Sequence, residues 1–385
     1  MNTTLSSIQP SATLEISALA KQLASEGKRV CNFAAGEPDF DTPQSIKEAA
    51  VRALAEGKTK YTAVRGLPAL CAAISDKLRT ANALDYAPEQ IIVSGGGKMS
   101  LSTAFAALLN PGDEVVIPAP YWLSYPEMVR LAGGVPVYVK GADADGFKIT
   151  PAQLEAAITP KAVAFVLNSP SNPTGLVYSK EEIAALGEVC LKHNLWIISD
   201  EIYERMIYNG GAHTSIAALS KEFYARTLTV NGMSKAYSMT GWRIGYAAGP
   251  APLIKAMTTV QSHLASAPAT FAQWGALAAL QHAEAEIQPM LKAFGERNKL
   301  ICDLVSQIKG VVCKCPKGAF YIFPNISSFG LSSADFAKRL IQEQHVAAVP
   351  GSAFGADENL RFSYACSSEE IKEGMSRFKA FCESL

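Results

Sequence analysis

Between residues 46 and 280, short and almost unbroken apolar segments alternate with segments of helical periodicity. That alternation restricts the chain to few architectures. Strands are expected over Gln90–Ser94, Asp113–Pro118, Ala162–Leu167, Leu195–Ser199, Thr227–Val230 and Ile244–Ala248, and helices over Ser45–Glu56, Lys98–Leu109 and Tyr125–Ala132. Strands apolar on both faces need helices on both sides, which implies an α/β fold with a mostly parallel sheet. In such sheets ligands bind beyond the carboxyl ends of the strands. The rule places Gly95-Gly96-Gly97, Asn168 to Asn172, Asp200 and Ser234-Lys235 on one rim, because each follows an expected strand.

After residue 280 the pattern changes. A long helix over Glu284–Ile308 precedes expected strands at Val311–Lys314, Ala319–Phe323, Val346–Val349 and Asn359–Ser363, with helices at Ser333–Glu343 and Ser368–Ser384. This predicts a smaller α+β domain. The expected division is an N-terminal segment, 1–45, whose helix over Ser11–Glu26 packs on the small domain; a large domain, 46–280; and the small domain, 281–385.

Composition excludes several classes. Thirty-five basic and thirty-five acidic residues balance, so nothing favours nucleic acid or an anionic membrane. Charges interrupt every apolar run well short of a bilayer span. Met1 to Pro10 is polar and has no basic stretch leading into an apolar one, so no secretory leader is expected and the location implied is cytoplasmic. Eight scattered cysteines, without metal-ligand spacing, and five dispersed histidines predict reduced thiols and no metal site.

Four features carry chemistry. Lys235 lies in a loop of small residues after an apolar run, where an amine can be held over a pocket and serve as a nucleophile; most such lysines are surface charges. Asp200 ends the run Leu195 to Asp200 and could stay ionised beside a cationic ring nitrogen, or could cap a helix. Asn172, in the stiff Asn168-Ser-Pro-Ser-Asn-Pro-Thr-Gly175 loop, and Tyr203 could donate to a phenolate oxygen, although the loop also reads as a plain turn. The Ser94-Gly-Gly-Gly-Lys98 loop joins a strand to a helix and, with Ser234 and Arg243, could cradle one phosphate; it lacks P-loop and dinucleotide spacing.

Ser-Asn-Pro-Thr-Gly, Asp-Glu-x-Tyr and Ser-Lys followed eight residues after the lysine by Arg, in this order, resemble the class I/II aminotransferases of pyridoxal-phosphate fold type I. Gly36-Glu-Pro-Asp-Phe40, Pro120-Tyr-Trp122, Met239-Thr-Gly-Trp-Arg243 and Arg361-Phe-Ser are similar to the bacterial-type aspartate aminotransferase branch, and the likeness covers nearly the whole chain. The resemblance implies ping-pong transamination between aspartate or glutamate and a 2-oxo acid, through a Schiff base on Lys235. Pyridoxal 5'-phosphate is the implied cofactor. Asp200 would pair with its ring nitrogen, Asn172 and Tyr203 would contact its ring oxygen, and Trp122 would stack on the ring. Gly96, Gly97, Lys98, Ser234 and Arg243 would hold its phosphate, with Tyr61 reaching it from the second subunit of a homodimer. Arg361 and the Gly36 backbone would bind the substrate α-carboxylate. Lys98, Ser11 and Thr13 would meet the distal carboxylate, Ser11 and Thr13 being equally readable as helix caps. Gly232 departs from the animal-type branch, which has a phosphate-binding serine there. Prephenate or aromatic aminotransferase, a pyridoxal-phosphate β-lyase, and a regulator retaining the fold remain as alternatives; the last lacks a basic DNA-binding domain.

Overall fold

The computed structural model describes residues 6, 8 and 10–385. Most of the polar start on which the absence of a leader was argued lies outside the described residues. The elements run α1 (Ala12–Ser25), β1 (Cys31–Asn32), α2 (Gln44–Ala55), α3 (Pro68–Asn82), β2 (Ile91–Ser94), α4 (Gly97–Leu108), β3 (Glu114–Ala119), α5 (Ser124–Leu131), β4 (Val135–Lys140), α6 (Pro151–Ala157), β5 (Ala162–Asn168), α7 (Lys180–Lys192), β6 (Trp196–Asp200), α8 (Lys221–Arg226), β7 (Thr227–Gly232) and β8 (Gly245–Ala248). Helices α9 (Ala251–Leu264), α10 (Thr270–His282) and α11 (Glu284–Val305) follow, then β9 (Tyr321–Ile322), α12 (Ser333–Gln344), β10 (Val346–Ala347), β11 (Val349–Pro350), β12 (Leu360–Ser363) and α13 (Ser368–Glu383).

The large sheet has seven strands in the order β2-β8-β7-β6-β5-β3-β4, parallel except for β8. Side chains alternate between two cores, as the two-residue period of a strand requires. Val115, Ile117, Ala164, Val166 and Ile198 pack with Phe105 of α4, Met128 of α5 and Met257 of α9. Val116, Phe165, Leu167 and Ile197 pack on the opposite face with Leu154 of α6 and Ile183, Leu186 and Cys190 of α7. β2, β7, β6, β5 and β3 point the same way, so their carboxyl ends form one rim.

The remaining strands form two small sheets. One pairs β11, β12 and β9 antiparallel; the other pairs β1 with β10. The N-terminal segment thus supplies a strand to the C-terminal region. Ala20 of α1, with Ile16, Leu19 and Leu23, packs against Ile341, Ala347 and Val349. A continuous core runs from Ile46, Leu70 and Ile74 through Phe294 and Phe320 to Phe378 and Phe381.

Several sequence expectations need correction. Val311–Lys314 is no strand; it makes one isolated bridge, Val312 to Asn325, and Val312 is largely exposed. Val346–Val349 divides into two strands because its halves have different partners, β1 and β12. β4 escaped notice because an edge strand is half exposed and lacks the apolar run that marks the inner strands. The thiols are not all free: Cys302 of α11 is joined to Cys315 by a disulfide, with Cα atoms 5.5 Å apart. That bond ties the 313–318 loop to α11.

The fold also gathers acidic and histidine side chains that are dispersed in sequence. Glu201, buried, and Glu204, half-buried, lie just beyond β6 and face His213. His213 Nε2 lies 2.9 Å from Glu201 Oε2, Ser215 Oγ donates to the same oxygen at 2.6 Å, and Lys77 and Asn82 Nδ2 donate to Glu204. The acceptors are already used by protein donors, so the group is an ion-paired network.

Two predictions follow from this packing. Gly374 lies inside α13, where alanine normally gains about 1 kcal/mol of helix propensity. Here an added Cβ would sit 2.1 Å from Phe33 Cε2, and Phe33 is fully buried. Gly374→Ala should therefore destabilise the protein by about 1–3 kcal/mol in urea denaturation; a gain in stability would refute the packing. Desolvation lowers the His213 pKa, but the charge of and hydrogen bond to Glu201 outweigh it and leave the net shift upward. Its stabilising contribution is full below the unfolded pKa and fades as pH rises through the higher folded value. His213→Gln should remove that loss of stability on the alkaline side, read from melting temperatures across pH.

Candidate active site

The parallel rim opens into a cleft of about 530 Å³, a volume typical of small-molecule sites. Ser11, Thr13, Gly36, Gly97, Lys98, Trp122, Asn172, Asp200, Tyr203, Ser234, Lys235, Arg243 and Arg361 all line it. Residues separated by up to 350 positions in sequence thus share one wall. Tyr61 does not: it is 96 % exposed on the protein surface.

Lys235 leaves the loop after β7 and its amine donates to the Gly36 carbonyl. Burial lowers its pKa to about 8; Glu37 and Asp200 oppose the fall, while Arg361 and Arg243 add to it. Asp200 is the last residue of β6, and no helix follows it, so the capping alternative has no helix to cap. Tyr125 donates to Asp200 Oδ2 at 2.6 Å, and the Ile202 N–H to Oδ1 at 3.2 Å. Burial raises the Asp200 pKa to about 6 against these hydrogen bonds and the nearby Lys235. A cationic ring nitrogen would draw it back to the ionised form.

Arg361, on β12, is 1 % exposed. It donates to Asn172 Oδ1 at 3.0 Å and to the Ala34 carbonyl at 2.9 Å, and its Nε has no partner. Arg243 donates to the carbonyls of Thr240 and Gly95. It holds a left-handed φ of 58°, a conformation that costs a side-chain-bearing residue energy and recurs at functional sites. Gly96, at φ 91°, leaves the space beside it: a Cβ there would lie 2.4 Å from Arg243 Nη2. α4 begins at Gly97, so its free N–H groups face the cleft region that Arg243 borders. Lys98 Nζ lies 5.0 Å from the Trp122 ring centre. Desolvation, then Arg243, lowers the Lys98 pKa.

Ser11 is at the N-cap position of α1, yet its side chain makes no capping bond, and the Thr13 hydroxyl is buried without a partner. The capping alternative therefore loses its support, and both residues line the cleft. Gly232 has no room for the animal-type serine, since a Cβ would meet Gly245 Cα at 2.9 Å across the β7–β8 pair. Sequence reasoning missed Tyr321 and Tyr125. Tyr321 sits in a two-residue strand, and Tyr125 is an ordinary core aromatic by pattern; neither carries a sequence signal.

Among the described residues, none of Lys98, Lys235, Arg243 and Arg361 forms an ion pair, and the cleft's acidic side chains are Asp200 and Glu37. A cleft with this excess of positive charge suits a ligand with a phosphate and carboxylates. The buried acid, the amine near neutrality, the glycine loop at a helix start and the unpaired guanidinium together fit pyridoxal phosphate.

The comparisons agree with this geometry. A family model described as aminotransferase class I and II matches residues 28–378. An aspartate aminotransferase of Geobacillus stearothermophilus is 51% identical, covering 99% of this chain and 98% of that protein. An aspartate/prephenate aminotransferase of Cereibacter sphaeroides is 49% identical over 100% and 99% of the two chains. The structure of a Thermus thermophilus aspartate aminotransferase with maleate superposes with a TM-score of 0.95 at 43% identity, covering 99% of each chain. The chain belongs to the class I and II aminotransferases, a family of pyridoxal-phosphate-dependent enzymes.

Proposed function

We propose that the protein transfers the amino group of aspartate or glutamate to a 2-oxo acid such as 2-oxoglutarate or oxaloacetate. The observation that carries this reading is the set of cations in the cleft, Lys98, Lys235, Arg243 and Arg361, that have no acidic partner among the described residues. The names of the relatives above support the substrate. Because some relatives are named aspartate/prephenate aminotransferases, prephenate as amino acceptor is the second reading.

Pyridoxal phosphate supplies an aldehyde and a protonated ring that accepts the electron pair left when the substrate Cα loses its proton. The chain's own residues do the rest. Arg361 clamps the α-carboxylate through its fork, helped by the Gly36 backbone. Lys235, its pKa lowered to about 8 by burial, would take the Cα proton near neutrality and carry it to the cofactor side. Asp200, kept in place by Tyr125, holds the positive ring nitrogen. Tyr203 and Asn172 offer hydrogen-bond donors to the ring oxygen, and Trp122 covers the ring face. Gly96, Gly97, Ser234 and Arg243 take the phosphate, and Lys98, Ser11 and Thr13 take the distal carboxylate.

We further infer a homodimer in which Tyr61 completes the phosphate site of the partner subunit. Its nearly complete exposure is otherwise a cost in water. The proposed units are 46–280 and 281–385, with 1–45 attached to the latter.

Two outcomes test the reading. Lys235→Ala should abolish turnover, and in the cofactor-free wild type the amine should react with an acylating probe with a midpoint near pH 8. A midpoint near the ordinary lysine value of about 10.4 would mean that the amine is not desolvated. Lys98→Ala should lower kcat/KM for aspartate roughly 10- to 100-fold, the worth of a charged hydrogen bond. An aromatic amino acid should lose much less, and equal losses would reject a distal-carboxylate role.

A further inference from the structure

Tyr321 has no role in the site as described so far, yet it touches both of its halves. It stands on β9 opposite Ser363 of β12, two residues from Arg361. Its hydroxyl lies 2.8 Å from the hydroxyl of Tyr203, which follows β6 in the large sheet. The face of its ring carries the Arg361 guanidinium, 4.6 Å from the ring centre. A Cβ on Gly36 would meet the same hydroxyl at 3.3 Å, so the Gly36 turn is packed against it. Tyr321 and Arg361 are each 1 % exposed and Tyr203 is 3 % exposed. A hydrogen bond or cation–π contact among such groups is little screened by water.

We propose that Tyr321 is a positioning residue that couples the ring-oxygen donor, Tyr203, to the carboxylate clamp, Arg361. The inference rests on the reading that Tyr203 donates to the cofactor's ring oxygen. With that oxygen present, Tyr203 has one proton to give. Tyr321 then donates to Tyr203, fixing which way the Tyr203 proton points. A donor that itself accepts a hydrogen bond is a stronger donor, by about 10–30% per bond in condensed phase. The same ring gives Arg361 a flat platform in a place where no carboxylate among the described residues holds it. Two chemically separate parts of one side chain, the hydroxyl and the ring face, thus serve two separate sites.

This division makes the proposal testable with conservative variants. Tyr321→Phe keeps the platform and removes the hydroxyl; Tyr321→Leu removes both. In the cofactor-loaded protein, the pH at which the visible absorbance titrates should rise by about 0.3 or more in Tyr321→Phe, because the ring oxygen loses part of its stabilisation. Tyr203→Phe should raise it further, and the double variant should match Tyr203→Phe alone, since Tyr321 acts through Tyr203. A shift in Tyr203→Phe with none in Tyr321→Phe, or additive shifts, would overturn the coupling. No shift in Tyr203→Phe would overturn the ring-oxygen reading itself, and the coupling with it. For the clamp, calorimetric binding of maleate to the cofactor-free protein should change less than twofold in Tyr321→Phe and weaken roughly tenfold or more in Tyr321→Leu. Equal weakening in both variants would overturn the platform role.

Discussion

Positive charge held out of water without an acidic partner is the constraint around which the rest of the structure is arranged. Arg361 is buried with only two carbonyl-type acceptors, and Lys235 is desolvated beside it. An isolated buried cation is costly, and a protein keeps one where a ligand supplies the missing charge. The cost is limited by orientation: the Asn172 amide oxygen, the Ala34 carbonyl and the faces of Tyr321 and Phe354 all turn electron density toward the Arg361 guanidinium. The low amine pKa of Lys235 comes from the same exclusion of water, so the substrate clamp and the base are two effects of one environment.

What holds this environment together is the segment from Ala34 to Thr42, which has almost no regular structure. Ala34 accepts from Arg361 and Gly36 from Lys235. Glu37 accepts from Thr240, and Asp39 forms a two-bonded pair with Arg297 of α11 at 2.6 and 2.9 Å. Thr42 donates to the Ser238 carbonyl and accepts from Trp242. One strap therefore binds the lysine loop, α11 and β12 to each other. Its sequence, Gly36-Glu-Pro-Asp-Phe40, divides its contacts: Gly36 and Glu37 meet the segment between β7 and β8, and Asp39 and Phe40 meet α11.

The layered sheet was legible because buried parallel strands leave an unmistakable mark, four to seven apolar residues bounded by turn formers. The rim positions of Asn168, Asp200 and Lys235 followed from that mark alone. The C-terminal region was harder to read for the same reason inverted. Its strands are two to four residues long and are set by partners far away in sequence, as in the splitting of Val346–Pro350 between β1 and β12. The Cys302–Cys315 bond and the Glu201–His213–Lys77 network likewise depend on contacts that no local pattern announces.

By itself the sequence determined the fold class, the rim and the chemical types needed for aldehyde-cofactor chemistry: an amine, an acid, a glycine loop and two arginines. Those are properties of residue type and of short-range periodicity. Only the tertiary structure decided their electrostatic state. Burial sets Lys235 near pH 8 and Asp200 near pH 6, leaves the Thr13 hydroxyl without a partner, and brings Tyr321 against both Tyr203 and Arg361. Desolvation and long-range contact exist only once the chain has closed on itself, so no reading of neighbours along the chain could have supplied them.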